Sequence, residues 1–217
     1  MSAPEIITVI DVETTGLDPH HDHITEIAAI RAEVSADGSI REIGRFQTFV
    51  ALPMVNGAAV EIPPEITELT GISADDLRGA PDFEDATDAL WSFAQTHGYG
   101  AESVIIAHNA PFDLAFLQPF YTPLGFACTR AISRLVDPDD SASLKYVCER
   151  YGIALNGHHR AMNDVEATLQ VYAVLRQHLA ARGIEYRNVV VDSAERPLTY
   201  TPPGARVVKI DKTKGAA

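Results

Sequence analysis

The hydrophobic and polar positions at the start of the chain predict three strands. Residues 5–11 (EIITVID) are rich in β-branched residues and end at a turn signal, which is typical of a strand. The runs 24–34 (ITEIAAIRAEV) and 40–50 (IREIGRFQTFV) flank the segment SADGS, whose Asp-Gly pair is favoured in hairpin turns. The pattern therefore predicts a three-stranded antiparallel beginning.

The middle of the chain alternates between helical and strand patterns. In EITELTGIS a short helix is expected to end at Gly71, and Asp82 is expected to cap a second helix with apolar residues at helical spacing. The wholly apolar run 103–107 (SVIIA) is typical of a central strand covered on both faces. A helix is expected to begin within HNAPFD, directly after this strand, with Pro111 in its first turn.

Further helices are predicted in the last third of the chain. TRAISRLV and SLKYVCERYGI have helical patterns, and the longest helix is expected from about Asn163 to Arg182. From Glu185 onward the sequence is mixed and Pro-containing, and it predicts no defined element. The whole pattern predicts an α/β fold with a mixed sheet of about five strands covered by helices.

The length of 217 residues and the apolar content of 46% predict one sizeable core and one domain. We place this domain at residues 1–183 and expect 184–217 to be an extension that is flexible or binds a partner. Cys128 and Cys148 have no zinc-type spacing, so reduced, packed thiols are expected. Since no targeting segment or long apolar span is visible, we expect a cytoplasmic protein without membrane contact.

The formal net charge of -13 argues against a broad nucleic-acid surface, which is usually basic. A phosphate-containing substrate is nevertheless compatible with this charge if several acids hold divalent cations. The last residues are basic through Arg206, Lys209, Lys212 and Lys214, and a solvated tail is the simpler interpretation.

Four acids occupy positions from which they can meet. Asp11 and Glu13 are one residue apart at the end of the first strand, so both point to the same face. Asp113 follows the fourth strand, and Asp164 lies in the first turn of the last helix. Ligands gather beyond strand ends in open α/β sheets, and paired Mg²⁺ ions bound by carboxylates serve phosphoryl transfer.

Each of these segments also has a simpler interpretation. Asp11 and Glu13 alone fit a solvated strand end. Asn109 could cap a helix whose dipole Asp113 complements, and His158 and His159 could lie on a solvated loop after Asn-Gly. The residues by themselves leave these alternatives open.

Taken together and in order, three segments resemble the exonuclease motifs of the DEDDh family of 3′–5′ exonucleases. They are DVETTG at 11–16, HNAPFD at 108–113 and HHRAMND at 158–164. The spacing H-x-x-x-x-D between His159 and Asp164 resembles the histidine branch of this family, and LTGI at 69–72 resembles its linker. The similarity covers roughly residues 5–180 and implies a ribonuclease H-like fold, with three antiparallel strands followed by parallel ones.

The resemblance implies a role for each matching residue. Asp11, Glu13, Asp113 and Asp164 would bind two divalent ions, Mg²⁺ or Mn²⁺, and His159 would be the general base that takes a proton from the attacking water. Motif register favours His159 over His158. The residues implied in binding the 3′-terminal nucleotide are Thr14, Thr15, Gly16, Leu17, His108, Asn109 and Phe112. In many relatives an acid stands where this chain has Cys128, so a supporting hydrogen bond is expected to differ.

The function implied is a 3′–5′ exonuclease that releases nucleoside 5′-monophosphates, preferably from single-stranded or frayed DNA 3′ ends. One alternative is an exoribonuclease of the ribonuclease T or oligoribonuclease type. A second is a proofreading subunit that joins a DNA polymerase through the residues after Glu185. A third, a catalytically dead nucleic-acid binder, is disfavoured because every ligand position and the base are present. The oligomeric state stays open.

Overall fold

The computed structural model describes residues 4–55, 57–95, 103–118, 123, 125–194 and 196–210. The chain begins with the three predicted strands: β1 (Glu5–Thr14), β2 (Ile24–Val34) and β3 (Ile40–Phe49). β2 pairs antiparallel with both β1 and β3. In the β2–β3 turn Gly38 has φ 84°, and the Asp37 carboxylate accepts a hydrogen bond from the Ser39 backbone N–H at 2.9 Å. The predicted Asp-Gly hairpin is therefore confirmed.

The next segment contains two elements that were predicted and one that was not. A short hairpin, β4 (Met54–Val55) and β5 (Ala58–Ala59), escaped prediction. Helix α1 (Pro64–Thr70) ends at Gly71, whose N–H donates to Thr67 O at 2.8 Å. Helix α2 (Phe83–Ala94) begins after Asp82, whose carboxylate accepts from the Asp85 N–H at 3.0 Å. Both predicted helix boundaries are confirmed.

The sheet is completed by two parallel strands. β6 (Val104–Ala107) lies parallel to β1, and β7 (Phe126–Cys128) lies parallel to β6. Helices α3 (Ala110–Phe116) and α4 (Thr129–Val136) follow these strands. Among the described residues the main sheet has five strands in the order β3-β2-β1-β6-β7, which confirms the predicted mixed sheet.

The helices cover both faces of this sheet. Helix α5 (Leu144–Tyr151) and the 22-residue α6 (Ala161–Arg182) pack with α4 on the face that carries Ile7 and Val9. Helices α2 and α3 pack on the opposite face, which carries Ile10 and Val12. Helix α6 begins two residues earlier than predicted. No helix in the described part of the chain is long and apolar enough to cross a membrane.

The segment after Glu185 forms two strands that the sequence did not predict. β8 (Val189–Ser193) and β9 (Arg206–Ile210) form a parallel two-stranded sheet. Val190 is completely buried and belongs to the same apolar cluster as α2 and α3. The expectation that no defined element follows Glu185 is therefore wrong for residues 189–193 and 206–210, which form strands. The basic residues Lys212 and Lys214 lie outside the described residues.

Candidate active site

Strand alternation places Asp11 and Glu13 next to α6. Ile7 and Val9 are fully buried on the α6 face of β1, and the alternation carries this face onward to the two acids. Helix α6 begins beyond the end of this apolar row, and its first turn supplies Asp164. Carboxylate oxygens of Asp11, Glu13 and Asp164 all lie within 4.8 Å of one another. The structure thus brings together three of the four predicted acids in a compact cluster.

Asp113 reaches this cluster from α3, which packs on the face of the sheet opposite α6. It lies in the first turn of α3 and is 3% exposed. Burial raises the pKa of Asp113 to about 7, and the backbone N–H of Val12, which lies between the other two acids on β1, opposes part of this rise. Asn109 occupies the N-cap position of α3, but its side chain makes no capping hydrogen bond within the described residues. The capping alternative for Asn109 is therefore not observed.

Burial and mutual repulsion make the anionic forms of these acids unfavourable. Burial, reinforced by the charges of Asp164 and Glu26, raises the pKa of Glu13 to about 8. The pKa of Asp11 lies well above its ordinary value, chiefly because of burial and then because of Asp113. Ionisation of these clustered carboxylates is unfavourable without a neighbouring positive charge. Their oxygens are therefore suitable ligands for hard divalent cations, which would relieve the repulsion.

The two histidines lie together on a strained loop before α6. Their rings stack with centroids 3.9 Å apart, and His159 has φ 69°, a conformation that non-glycine residues rarely adopt. The Nδ1 atom of His158 lies 2.8 Å from one oxygen of Asp164 and 2.9 Å from the other. His159 makes no hydrogen bond to any residue that the structure describes, and burial lowers its pKa. The histidine favoured by motif register is thus the one whose ring nitrogens are free.

A buried acid that the sequence analysis missed fixes this loop. Glu26 on β2 is completely buried and lies opposite Glu13 in the strand register. Its carboxylate accepts from Arg160 Nη2 at 3.0 Å and from the Ala161 backbone N–H at 3.1 Å. The available signal was a charged residue in the middle of the apolar run ITEIAAI, since buried charges are rare unless they are paired.

The acids and histidines line a cleft of about 290 Å³. Of the predicted nucleotide-binding residues, the structure places six in its wall: Thr14, Gly16, Leu17, His108, Asn109 and Phe112. Thr15 is not among the lining residues, because its N–H donates to His23 O and its hydroxyl donates to Asp22. Seven further lining residues have no role predicted from the sequence: Val12, Ile66, Leu69, Thr70, Ser143, Leu144 and Arg196.

Two large hydrophobic side chains that line the cleft are exposed. Leu17 is 78% exposed and Leu69 on α1 is 50% exposed, although both are large hydrophobic side chains. Exposed apolar side chains in a cleft that also contains four carboxylates suit a flat aromatic base beside a phosphate group. Leu69 is the first residue of LTGI, the segment that resembles the family's linker.

His108 is held by hydrogen bonds through both ring nitrogens. Nε2 donates to the Ala142 carbonyl at 2.9 Å, so Nδ1 is the acceptor for the Thr129 hydroxyl, also at 2.9 Å. Burial lowers the pKa of His108 to about 3, so the ring is neutral. With both nitrogens engaged, His108 can contact a nucleotide only through its ring surface, and its hydrogen bonds tie the start of α3 to α4.

Cys128 is the last residue of β7 and the N-cap residue of α4. Its Sγ accepts a weak hydrogen bond from the Ala131 N–H at 3.4 Å and therefore caps α4. The thiol also lies 3.6 Å from His108 O, to which it can donate. Cys128 therefore makes two weak sulfur contacts at the start of α4.

A mixed five-stranded sheet with four carboxylates and a histidine loop at one edge defines the chain as a nuclease domain. A profile of the exonuclease family RNase_T matches residues 8–172, and the chain belongs to this family. This confirms the family membership that the three motifs predicted.

The curated relatives are much longer proteins. The PolC-type DNA polymerase III of Staphylococcus haemolyticus is 32% identical over 184 residues, which cover 81% of this chain and 12% of the polymerase. The corresponding Bacillus subtilis protein is 32% identical over 205 residues, covering 90% and 13%. The chain therefore spans only a small fraction of the relatives that it matches.

Solved structures share the fold at lower identity. Exonuclease X in complex with 5′ overhanging duplex DNA has a TM-score of 0.62 and 24% identity, covering 83% of this chain and 95% of that one. Escherichia coli Exonuclease I in complex with a dT13 oligonucleotide has a TM-score of 0.66 and 18% identity, covering 82% and 42%. The nuclease domain of 3′hExo, a DEDDh family member bound to rAMP, has a TM-score of 0.66 and 18% identity, covering 85% and 96%.

Proposed function

We propose that the chain is a 3′–5′ exonuclease that hydrolyses the terminal phosphodiester bond and releases a nucleoside 5′-monophosphate. The observation that carries this proposal is the convergence of Asp11, Glu13 and Asp164 within 4.8 Å beside the His158–His159 loop. Membership of the exonuclease family supports it. The cleft is short and its floor is acidic, which suits a chain end better than the middle of a duplex.

Each group in the cleft has a proposed role. Asp11, Glu13, Asp113 and Asp164 would hold two divalent ions, Mg²⁺ or Mn²⁺, which supply charge stabilisation and an activated water when bound. His159 takes the proton from the attacking water, and this role is supported by ring nitrogens that bond to none of the described residues. Phe112, Leu17 and Leu69 pack against the terminal base. The backbone around Thr14 and Gly16 positions its sugar.

The direct test uses a 5′-labelled oligonucleotide, which gives a descending ladder only if nucleotides leave from the 3′ end. Wild-type protein should form this ladder with Mg²⁺ or Mn²⁺ and none with EDTA. Asp11→Ala and His159→Ala should lose activity while keeping the wild-type circular dichroism spectrum. Full activity of purified Asp11→Ala would refute the two-metal assignment. Titration calorimetry with Mn²⁺ should give two sites, whereas a catalytically dead binder need not take up two ions.

We propose DNA as the preferred substrate, single-stranded or frayed at its 3′ end. The identity of 31–34% to domains of DNA polymerases supports this choice. Digestion of matched DNA and RNA oligonucleotides, single- and double-stranded, tests it with each metal. A higher kcat/KM on RNA would transfer the proposal to the exoribonuclease alternative.

The polymerase relatives favour a second candidate function, a proofreading subunit that acts with a polymerase. A domain of this kind should remove a mismatched 3′ terminus from a primer–template faster than a matched one. Deletion of residues 186–217 is not a suitable test of partner binding, because Val190 is fully buried in the core. The full chain with and without a replicative polymerase is the better comparison, and equal excision rates in both mixtures would argue against this function.

A further inference from the structure

The residues after Glu185 reach the catalytic cleft. Asn188 fixes their position on the edge of the main sheet, because its N–H donates to Phe126 O at 2.9 Å and its side chain accepts from the Phe126 N–H at 2.8 Å. Val189, Val190 and Val191 are then buried as β8. The loop that follows β8 therefore starts from a fixed point.

Hydrogen bonds also shape this loop. Arg196 N–H donates to Ser193 O at 3.1 Å, and the Asp192 carboxylate accepts from the Leu198 N–H at 3.1 Å. Leu198 and Tyr200 then pack against the apolar cluster that contains α3. These contacts hold Arg196 over the α3 side of the cleft, where it joins Asn109 and Phe112 in the wall.

Arg196 is a positively charged residue in a cleft whose other charged side chains are acids. Among the described residues that line the cleft it is the sole arginine or lysine, whereas four carboxylates form the floor. Its positive charge opposes the rise in the pKa of Asp113, so the guanidinium lies within electrostatic range of that acid. The side chain is exposed, and it forms no ion pair with any residue in the described ranges. Its donors are therefore available to a ligand.

We propose that Arg196 binds a backbone phosphate of the substrate strand on the 5′ side of the scissile bond. This inference rests on the proposed exonuclease function. A 3′-terminal nucleotide carries only the scissile phosphate, which the four acids and their ions would hold. Any other phosphate in the cleft therefore belongs to the preceding nucleotides. The planar guanidinium fork matches phosphate oxygens, and divalent ions at the acids would leave Arg196 as uncompensated positive charge.

This assigns a function to residues beyond the matched family region, which ends at 172. The extension would lengthen the substrate site by about one nucleotide and favour a polymeric strand over a mononucleotide ester. Since the charge is single and local, binding would remain compatible with the net charge of -13.

The test compares Arg196→Ala and Arg196→Lys with wild type on two substrates. One is a single-stranded DNA decamer, and the other is the p-nitrophenyl ester of thymidine 5′-monophosphate, which has no upstream phosphate. For Arg196→Ala we expect KM for the decamer to rise about tenfold with kcat within twofold, and unchanged kinetics on the ester. Arg196→Lys should recover part of the loss because it keeps the charge.

Decamer binding in Ca²⁺, followed by fluorescence anisotropy, provides a readout that does not depend on turnover. The slope of log Kd against log salt should fall by about 0.7 in Arg196→Ala, as expected for one lost contact to a single strand. Arg206→Ala is the matched control, since Arg206 is an exposed arginine at the opposite end of the β8–β9 sheet. It should match wild type in both assays.

The outcomes separate this inference from the proposed function. If wild type cleaves neither substrate, the exonuclease proposal fails, and anisotropy still decides whether Arg196 binds the strand. If wild type is active and Arg196→Ala retains the wild-type KM and salt slope, the inference is overturned. An equal loss on decamer and ester would also overturn it, because that result indicates a role at the reacting phosphate or in folding.

Discussion

The carboxylate of Glu26 accepts a hydrogen bond from the backbone N–H of Ala161, 3.1 Å away and 135 positions later in the chain. Ala161 is the first residue of α6, so a buried acid on β2 satisfies one of the donors that every helix N-terminus leaves open. The same carboxylate pairs with Arg160, the residue after His159. Glu26 therefore fixes the loop that carries the proposed base.

Removing the charge of Glu26 should slow catalysis without abolishing substrate binding. Glu26→Gln keeps an acceptor for the Ala161 N–H but loses the ion pair with Arg160, which frees the adjacent histidine loop. Because a displacement of about 1 Å can cost up to a hundredfold, we expect kcat to fall 10- to 100-fold and KM to change less than threefold. Steady-state kinetics on a single-stranded oligonucleotide measure both values.

Glu33→Gln is the matched control for this prediction. Glu33 lies on the same strand and pairs with an arginine, Arg41, but at the far end of β2 from the acids. Its kinetics should equal those of wild type. If Glu26→Gln had normal kcat, or if both variants lost activity equally, Glu26 would have no positioning role.

Neutralising one acid of the cluster should stabilise the metal-free protein. In Asp11→Asn the remaining acids lose a neighbouring charge, and a buried, desolvated carboxylate is replaced by a neutral amide of the same shape. We expect the free energy of unfolding in EDTA to rise by about 1 kcal/mol, which raises Tm by about 2–4 °C for a chain of this size. Differential scanning calorimetry checks this value.

Added Mn²⁺ should reverse the order of stability of wild type and Asp11→Asn. Wild type should gain stability from ion binding, whereas Asp11→Asn should gain much less because a ligand is missing. Asp88→Asn, a change in an exposed acid on α2, serves as the control and should leave both curves unchanged. A lower Tm of Asp11→Asn in EDTA would contradict the repulsive interpretation of the cluster.

The positions of the four acids could be predicted from the sequence because each follows from local structure. Alternation along β1 determines the face of Asp11 and Glu13, and the first turns of α3 and α6 supply the other two. The main strands and helices were predictable for the same reason, since each has its own apolar period. Pairing of β8 with β9 is parallel and non-local, so no short pattern encodes it.

Contacts between distant segments account for what the sequence analysis missed. Arg196 reaches the cleft only because Asn188 anchors the extension to β7, and no spacing rule predicts that contact. The Glu26–Ala161 hydrogen bond joins residues on separate elements. The proximity of His158 to Asp164 likewise depends on the turn at Gly157, which has φ 60°. Local pattern therefore predicted the positions of the four acids but not the residues that orient them.

The pH dependence of metal-free stability should reveal the raised pKa of Glu13. Its pKa rises from an ordinary value of 4.5 to about 8, so the folded state keeps its proton while the unfolded state has already lost it. The corresponding stability is fully present below pH 4.5 and is lost as pH rises towards 8. In EDTA, Glu13→Gln should therefore be increasingly more stable than wild type as pH rises across this interval.

Urea denaturation at several pH values measures the difference between the two proteins. The curves should meet at low pH, where Glu13 is protonated in both states, and should separate most near pH 8. Glu65→Gln, a change in an exposed acid at the start of α1, provides the baseline for a surface carboxylate. A constant difference across the pH range would show that Glu13 titrates normally.

The two stacked histidines should differ sharply in their contribution to catalysis. His158 Nδ1 is engaged by Asp164, whereas the ring nitrogens of His159 bond to no residue in the described ranges, and His159 matches the motif register. We expect His159→Gln to lower kcat by 10²–10⁴-fold, the usual contribution of a general base, and His158→Gln to lower it by less than tenfold. The matched design changes the same residue type at adjacent positions, so general damage to the loop would affect both. Single-turnover cleavage of a labelled oligonucleotide at saturating Mn²⁺ isolates the chemical step from ion binding. If His158→Gln proved the more damaging change under these conditions, the base would be His158, and the stacked His159 would serve to orient it.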